Sequence, residues 1–556
     1  MKRKRTSSSS SQQTVTATCS QLPDECWEFI FRLVINDDDE NRNKLRYLNP
    51  LSLVSKQFLS VTDRLRFSLT VYYEYEPSYL DRIFKRFTNL NSLKLVNFFT
   101  DSDELLRKIP SKQLTSLHLS NQPSIPTNGL RAFSQKITTL TSFNCSCIGS
   151  LNTSDLFLIA ECFPLLEQLD LSDPSGCTDY SSYVDGVEAL SLALIKLRKV
   201  NLSGFPINNQ SLYHLFNNCK YLEEVIILKC GEITSAGLAS AIRHRPTLRS
   251  LLFSTTELTD VSTSQFIDSL VSLKGLTCLV LHCLNISDEL LYSIAREGLP
   301  LTRLDLIFCP NYSYNGIFCL LSKCRRIQHL NLQHTRFLND QHVAQLSLFL
   351  GDLVSINLSD CDKITKSALF ALLRNCPSLS EIKMERIVSD RDIVGNSDSL
   401  VKFGVYPHLK GLYLGGNSWL NDEILIMVTS IFPNLQLLDL NDCHNISEGI
   451  CQVLRKCCKI KHLNLAYCSR VKLHGMNFVV PKLEVLNLSD TKVDDETLYL
   501  ISKNCSGLMQ LRLDRCSGVT KKGVKCMLKS CRQLRENGCI IPSSQAGGVE
   551  LVTYKG

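Results

Sequence analysis

The phrase Leu-x-x-Leu-x-Leu returns along this chain about every 26 residues, and a period of that length fixes the architecture before anything else is read. It begins at Leu90, Leu114, Leu140, Leu166, Leu197, Leu222, Leu248, Leu276 and Leu301. It continues at Ile327, Leu353, Leu379, Leu409, Leu435, Ile460, Leu483 and Leu508, and ends in decayed form at Leu534. A unit this short cannot bury its own apolar side, so its copies must stack into a solenoid. Stacking also frees a chain of 556 residues from the size limit of a single globular core.

Residues 353–377, LVSINLSDCDKITKSALFALLRNCP, show how one copy works. Leu353, Ile356 and Leu358 alternate as a short strand does, with the apolar side inward. Cys361 and Ile364 carry the core through a turn. Thr365 is the expected N-cap of a helix whose inner stripe is Leu369, Leu372 and Leu373, and Cys376-Pro377 ends it. Repeating strand, turn and helix gives a parallel sheet on a concave side and helices outside. The 25 cysteines follow the same period. Cys230, Cys309, Cys361, Cys443, Cys468 and Cys516 stand eight residues after an anchor. Cys219, Cys324, Cys376, Cys457, Cys505 and Cys531 stand three before the next. Such ladders are expected to hold reduced thiols acting as small hydrophobes, and no paired Cys-x-x-Cys spacing suggests zinc. Repeats such as ITKSALFALLRNCPSL and VDDETLYLISKNCSGL resemble the cysteine-containing subclass of leucine-rich repeats over roughly residues 88–540. The resemblance implies an α/β horseshoe of about 18 repeats.

Residues 21–62 lie outside the period. Pro23 suits a first helical turn, with Asp24 and Glu25 favourable near its positive end. Trp27, Ile30, Phe31 and Val34 follow at i, i+3, i+4 and i+7 and are read as one apolar face. After a polar insert at 37–44, Asn49 is expected to cap a second helical stretch that Pro50 opens. Its apolar positions are Leu51, Leu53, Val54 and Phe58. A unit of about 40 residues needs a partner surface. These residues resemble an F-box: Leu22, Pro23 and Glu25 match its opening, Ile30-Phe31 its middle, and Leu53, Val54, Ser55, Lys56 and Phe58 its close. Ser55 replaces the usual Cys and Phe58 the usual Trp. The resemblance implies docking onto a Skp-type adaptor, and through it a cullin and a RING protein, by Leu22, Pro23, Trp27, Ile30, Phe31, Leu51, Leu53, Val54 and Phe58. The resulting division is a basic, Ser-rich tail at 1–20, an F-box at 21–66, a solenoid at 67–545 and a tail at 546–556.

Side chains at offsets +2, +4, +6 and +7 from each anchor are expected to face the concave side. Most are polar, as Asn201, Asp305, Asn331, Asn357, Asp439, Asn464 and Asn487 are at +4. Ile226, Leu252 and Val280 break that habit in three consecutive repeats, joined by Leu228, Ile307 and Phe308. A contiguous apolar patch of this kind marks an interaction site unless a neighbouring loop covers it. Beside it, Arg303, His329, His334, Lys383 and Arg386 form a basic band, with Asp439, Asp442, Asp490 and Asp514 further on. These charges either serve complementarity to a partner or are simply solvated. The substrate contacts are therefore expected at Ile226, Leu228, Leu252, Val280, Ile307, Phe308, Arg303 and His329. Two joints exceed the period, between Leu166 and Leu197 and between Leu379 and Leu409. Their loops either reach over the horseshoe or are tolerated insertions. Lys521, Lys525, Lys529 and Arg532 read as a solvated outer stripe.

Several classes of function are disfavoured. No apolar run reaches membrane-span length, and the start MKRKR followed by serines is no secretory signal. Asn-x-Ser at Asn201, Asn357 and Asn487 is therefore read as a feature of the repeat, and the compartment as cytoplasmic and/or nuclear. Lys2, Arg3, Lys4 and Arg5 read either as a nuclear-import signal or as a plain flexible tail. The net charge is +7, of which residues 1–20 hold four, so the body carries no general pull on nucleic acid. No phosphate-cradling glycine loop, His-Glu-x-x-His or nucleophile with a base is present, and no cofactor is implied. The resemblance leads to a non-catalytic substrate receptor of an SCF-type ubiquitin ligase, with an unknown protein substrate. A plain scaffold is the alternative. Plant hormone co-receptors share the plan, but the dense basic cluster expected for their inositol phosphate is sparse here.

Overall fold

The computed structural model describes residues 22–36, 48–72, 77–96, 102–110, 113–176, 183–261, 263–387, 404–531, 534, 539–540 and 551–552. The tail 1–20, the insert 37–44, Arg532, the insertion beyond Ile387 up to residue 403, and most of 546–556 lie outside them, as do residues 177–182 of the other long joint. The chain divides into two compact units, Met1–Gly149 and Ser150–Gly556.

The first unit opens with helices α1 (Asp24–Asn36), α2 (48–52) and α3 (Lys56–Arg64). Phe31, Ile35, Leu48, Val61 and Leu65 form their core, with Trp27, Leu51 and Phe58 packed against it. Trp27, Phe31 and Phe58 meet at ring-centroid distances of 4.6, 5.0 and 5.9 Å. Ser55 is the N-cap of α3, its hydroxyl accepting from the Phe58 amide. Gln57 donates to the Leu22 carbonyl and to Asp24, and Arg64 donates to Asp24, clasping α3 onto the start of α1. Asn49 lies inside α2 rather than capping it, and its side chain accepts from Arg66.

Four parallel strands follow in order: β1 (Ser68–Tyr72), β2 (Ser92–Val96), β3 (Ser116–His118) and β4 (Ser142–Asn144). The strand ladder thus begins one repeat before Leu90. Ser68 pairs with Ser92, which puts Arg66 at the anchor position. Arg66 fills it by laying its guanidinium over the Phe87 ring at 5.1 Å.

In the second unit, β5 (Gln168–Asp170), β6 (Lys199–Asn201), β7 (Glu224–Ile227), β8 (Ser250–Asp260), β9 (Cys278–Asn285) and β10 (Arg303–Asp305) begin a parallel ladder that runs on to Gln510–Arg512. The register sets like on like, for example Leu304 on Leu330, Leu330 on Ile356 and Ile356 on Ile382. Helices form the other layer, and the chain is an α/β leucine-rich-repeat solenoid. No helix stands between strands His462–Asn464 and Val485–Asn487, where the anchor spacing falls to 23.

Three ladders join one repeat to the next. At offset +7 the backbone turns left-handed, as at Asp173, His334, Asp360, Asp442 and Asp490 (φ 52, 62, 60, 61 and 57°). Each such non-glycine residue carries strain of about 1 kcal/mol or more. Its N–H in return reaches the +6 carbonyl of the next repeat, as from Asp173 to Ser203 at 2.7 Å and Asp360 to Glu385 at 2.9 Å. The +8 thiols donate to the +5 carbonyl of the preceding repeat, for instance Cys309 to Leu281, Cys468 to Leu440 and Cys516 to Leu488 at 3.0–3.1 Å. All cysteines among the described residues are free. Burial pushes the Cys230, Cys361 and Cys468 thiols up to about 12, so they stay protonated donors. On the helix side, an Asp in the first turn of one helix accepts from both the amide and the hydroxyl of the next repeat's Ser or Thr. Asp288 holds Ser313 in this way, Asp340 Thr365, Asp422 Ser447 and Asp495 Thr520.

Candidate functional site

In the first unit, the nine residues expected to meet an adaptor separate into two sets. Trp27, Phe31, Leu51 and Phe58 belong to the internal core. Leu22, Pro23, Ile30, Leu53 and Val54 are exposed, Leu53 at 86% and Val54 at 65%. Helix α1 is apolar on two sides. Its inner stripe is Trp27, Phe31 and Ile35, while Phe29, Ile30, Leu33 and Val34 face outward. Ile30 and Val34 are therefore not on one face with Phe31: with 3.6 residues per turn, i+4 and i+8 from Trp27 define the buried stripe. Phe29 and Leu33 went unread because a single-face template has no place for them. An apolar surface left over after the core is complete implies a partner.

In the second unit, the +4 asparagines and aspartates do more than face solvent. Asn201, Asn357 and Asn487 each accept from the +6 backbone amide through Oδ1, at 3.0–3.2 Å. The carboxamide thereby satisfies an amide left free where a three-residue strand ends, which explains the recurrence of Asn-x-Ser in physical terms. Ile226, Leu252 and Val280 supply no such acceptor. There the Leu228 amide turns to the Ser203 hydroxyl, and β8 and β9 run on as paired strands instead.

Ile226, Leu228, Leu252 and Ile307 are half-buried on the sheet face, and Arg303 and His329 are exposed in register with each other. Val280 departs from expectation: it is buried, at 1%. It lies between Leu252 and Asp305 in the ladder where β8 and β9 are longest, and Ser254 and Thr255 beside it are buried too. Phe308 remains half exposed but stacks on His334, with centroids 3.8 Å apart.

The basic band is largely neutralised from within. His334 lies 3.4 Å from Asp360, Arg386 makes two hydrogen bonds to the same carboxylate at 2.6 and 2.9 Å, and Lys383 sits 3.5 Å from Glu381 and over the Tyr413 ring. Burial alone would raise the Asp360 carboxyl, but hydrogen bonds from Arg386 and Gln333 outweigh it and hold it below its ordinary value. Arg303 lies 3.8 Å from buried Asp305, whose Oδ1 faces His282 Nε2 at 3.2 Å without hydrogen-bond alignment. His329 has its imidazole held below its ordinary value by burial first and by Arg303 second. The chain Phe308, His334, Asp360, Arg386 follows the left-handed +7 positions. The recurrence of Asn, Asp and Gly at +7 was the available signal for it.

Glu385 stands apart. No cation lies within ion-pair distance of its carboxylate among the described residues, and burial, followed by Asp439, raises its carboxyl above the ordinary value. A raised carboxyl penalises the folded state above its folded pKa and not below the unfolded one. Glu385→Gln is thus expected to raise the melting temperature at pH 7 and to leave it unchanged near about pH 4. Equal shifts at both pH values would show that packing, not charge, is responsible. Among the described residues, His474, Asp494 and Glu496 are the trio of ligand-type side chains close enough to hold a metal. Asp494 Oδ1 is already committed to the Thr497 amide and hydroxyl, and the positive end of that helix opposes a cation.

No family model matches the chain. A curated relative, F-box/LRR-repeat protein 4 of Bos taurus, is 27% identical over 164 residues, covering 29% of this chain and 25% of the relative. The chain spans about a quarter of the length of that relative. Among solved structures, it is similar to the complex of Rad7 and Elc1 in yeast, with a TM-score of 0.38 at 14% identity, over 87% of this chain and 96% of that one. It is also similar to the mouse RP105/MD-1 complex, with a TM-score of 0.39 at 16% identity, over 83% and 84% of the two chains. Among the described residues, no helix is long and apolar enough to cross a membrane.

Proposed function

We propose that this chain is the substrate-recognition subunit of an SCF-type ubiquitin ligase, acting in the cytoplasm and/or nucleus. An F-box at 21–66 docks a Skp-type adaptor, which brings a cullin and a RING protein, and the solenoid at 67–545 holds the protein to be ubiquitinated. The observation that carries this reading is the second apolar side of α1, with Leu53 and Val54, exposed after the three-helix core is closed. The F-box-like order of residues and the resemblance to a bovine F-box/LRR-repeat protein support it. The receptor has no chemistry of its own to perform. It raises the effective concentration of substrate lysines near the conjugating enzyme. The hormone co-receptor variant is disfavoured, because Lys383 and Arg386 are already engaged by Glu381 and Asp360.

Affinity isolation of the full chain with the proteasome blocked tests the proposal. A Skp-type adaptor and at least one further protein are expected to be retained. Ile226→Asp with Leu252→Asp is expected to lose the further protein and keep the adaptor, by about tenfold or more for a buried hot spot. Retention of the substrate by that variant moves its site elsewhere on the sheet face. Absence of any adaptor leaves a plain scaffold.

A further inference from the structure

The positive charge of this chain is not spread along it. Residues 449–531 hold 15 Lys and Arg against 6 Asp and Glu, a balance of +9 in a chain whose total is +7. Five of the six acids of this stretch are committed to structure, Glu496 being exposed near His474. Asp494 and Asp495 hold helix starts, Asp490 pairs with Arg515 at 3.1 Å, Asp514 accepts from Ser489, and Glu484 is buried. Lys503, Lys521, Lys522, Lys525 and Lys529 are exposed, and none has an acidic group within ion-pair distance among the described residues.

Helix Lys521–Ser530 concentrates the conflict. It buries Val524, Met527 and Leu528 and turns all four of its lysines to solvent. Lys521, Lys525 and Lys529 repel one another at i, i+4 spacing. Lys521 and Lys522 also stand in the first turn, where the helix dipole favours acids, and the carboxylate at that start, Asp495 on Thr520, is lent by the preceding helix. Each placement works against the isolated chain. A row of like charges with no acidic group in ion-pair distance among the described residues is the mark of a surface shaped for something outside the chain.

We infer that the helix side of these last repeats, centred on Lys521, Lys522, Lys525 and Lys529, binds an acidic, extended protein segment. Charge complementarity selects a polyanion. Three features select a peptide over nucleic acid. Lysine offers point charges rather than the forked guanidinium that reads phosphate and bases. Tyr499 is the one large exposed aromatic on the neighbouring helix, too few for a stacking platform. The helix is also held down by its buried face and is not free to enter a groove, while the rest of the chain balances at −2 and gives a long polyanion no further support. This surface goes beyond the receptor reading and does not depend on adaptor docking.

Fluorescence anisotropy with the full chain tests it, using a labelled oligoglutamate peptide and a mixed-sequence DNA duplex of equal charge at low and physiological ionic strength. The peptide is expected to bind, and to bind more weakly as salt rises. Changing the four lysines to Gln, which keeps the helix, is expected to weaken it about tenfold. Changing them to Glu is expected to abolish binding, with circular dichroism confirming the fold. Equal binding by the wild type and the Gln variant, no peptide binding at low salt, or preference for the duplex would each overturn the inference.

Discussion

Ile30→Asp with Leu53→Asp is expected to abolish adaptor retention while leaving the three-helix unit folded. Leu53 is 86% exposed, so its exchange shifts stability by about 0.5 kcal/mol or less, while Ile30, 37% exposed, gives up part of its packing at about 1 kcal/mol, well below the cost of a core deletion. Their loss at the centre of a docking face costs about 2 kcal/mol or more of binding each, and two buried charges cost more still. Phe31→Ala gives the contrasting result. Phe31 is 2% exposed and touches both Trp27 and Phe58, so its loss removes about 3–5 kcal/mol from a small core. Adaptor retention then fails because the unit melts. Circular dichroism and denaturation beside the pull-down separate the two cases. If Ile30→Asp with Leu53→Asp still retains the adaptor, the outer side of α1 is not the docking face.

The second large effect is expected at Asn417. It stands at offset +8, where the next repeat carries Cys443, and is fully buried. Its amide donates to the carbonyls of Met384 and Leu414 at 2.8 and 2.9 Å, and its oxygen accepts from the Ile387 amide at 2.9 Å. A thiol makes one such bond where Asn417 makes three, and Ile387 is the last described residue before the long insertion. Asn417→Ala strands the Met384 carbonyl and the Ile387 amide, while the Leu414 carbonyl keeps the Cys443 thiol, and is expected to cost about 3 kcal/mol or more. Cys443→Ala, at the same offset one repeat later, releases one weak bond and a small volume and is expected to cost about 1–2 kcal/mol. Urea denaturation of the two variants checks the order, and equal losses would show that Asn417 does not hold the joint.

The apolar strand positions three residues after each anchor were legible because each is an internal contact with a neighbour of the same kind. Leu304, Leu330, Ile356 and Ile382 fall into register as the period requires. What the period could not convey was departure from itself. Arg66 stands at an anchor place but presents the wrong letter, so the first strand escaped a search for leucine. Val280 was expected in the open because +4 positions face outward, yet neighbouring strands that lengthen together bury it. Of the adaptor face, the order of residues was readable, but its inside and outside were not. Ile30 and Phe31 are adjacent letters that point about 100° apart on a helix, and only the packed core assigns which is inside. The charged bands failed in another way. Arg386 and Asp360 belong to different repeats, 26 residues apart, and a linear reading counts both as free.

The stretch without a helix, between Asn464 and Val485, has a consequence for cooperativity. In a stack, each repeat is held by its own stability and by its coupling to the two neighbours, like spins in a row. The Asp-to-Ser/Thr clamps supply part of that coupling, from Asp422 to Ser447 and again from Asp495 to Thr520, but no helix start stands between them to extend the series. Across that joint loop contacts stand in for the helix: the Cys451 thiol donates to the Lys472 carbonyl, Arg455 to Asn477, and Asn504 to the Met476 carbonyl. Its coupling thus rests on a loop rather than on a packed helix, and hydrogen exchange is expected to find the repeats beyond it opening at a lower free energy than those before it.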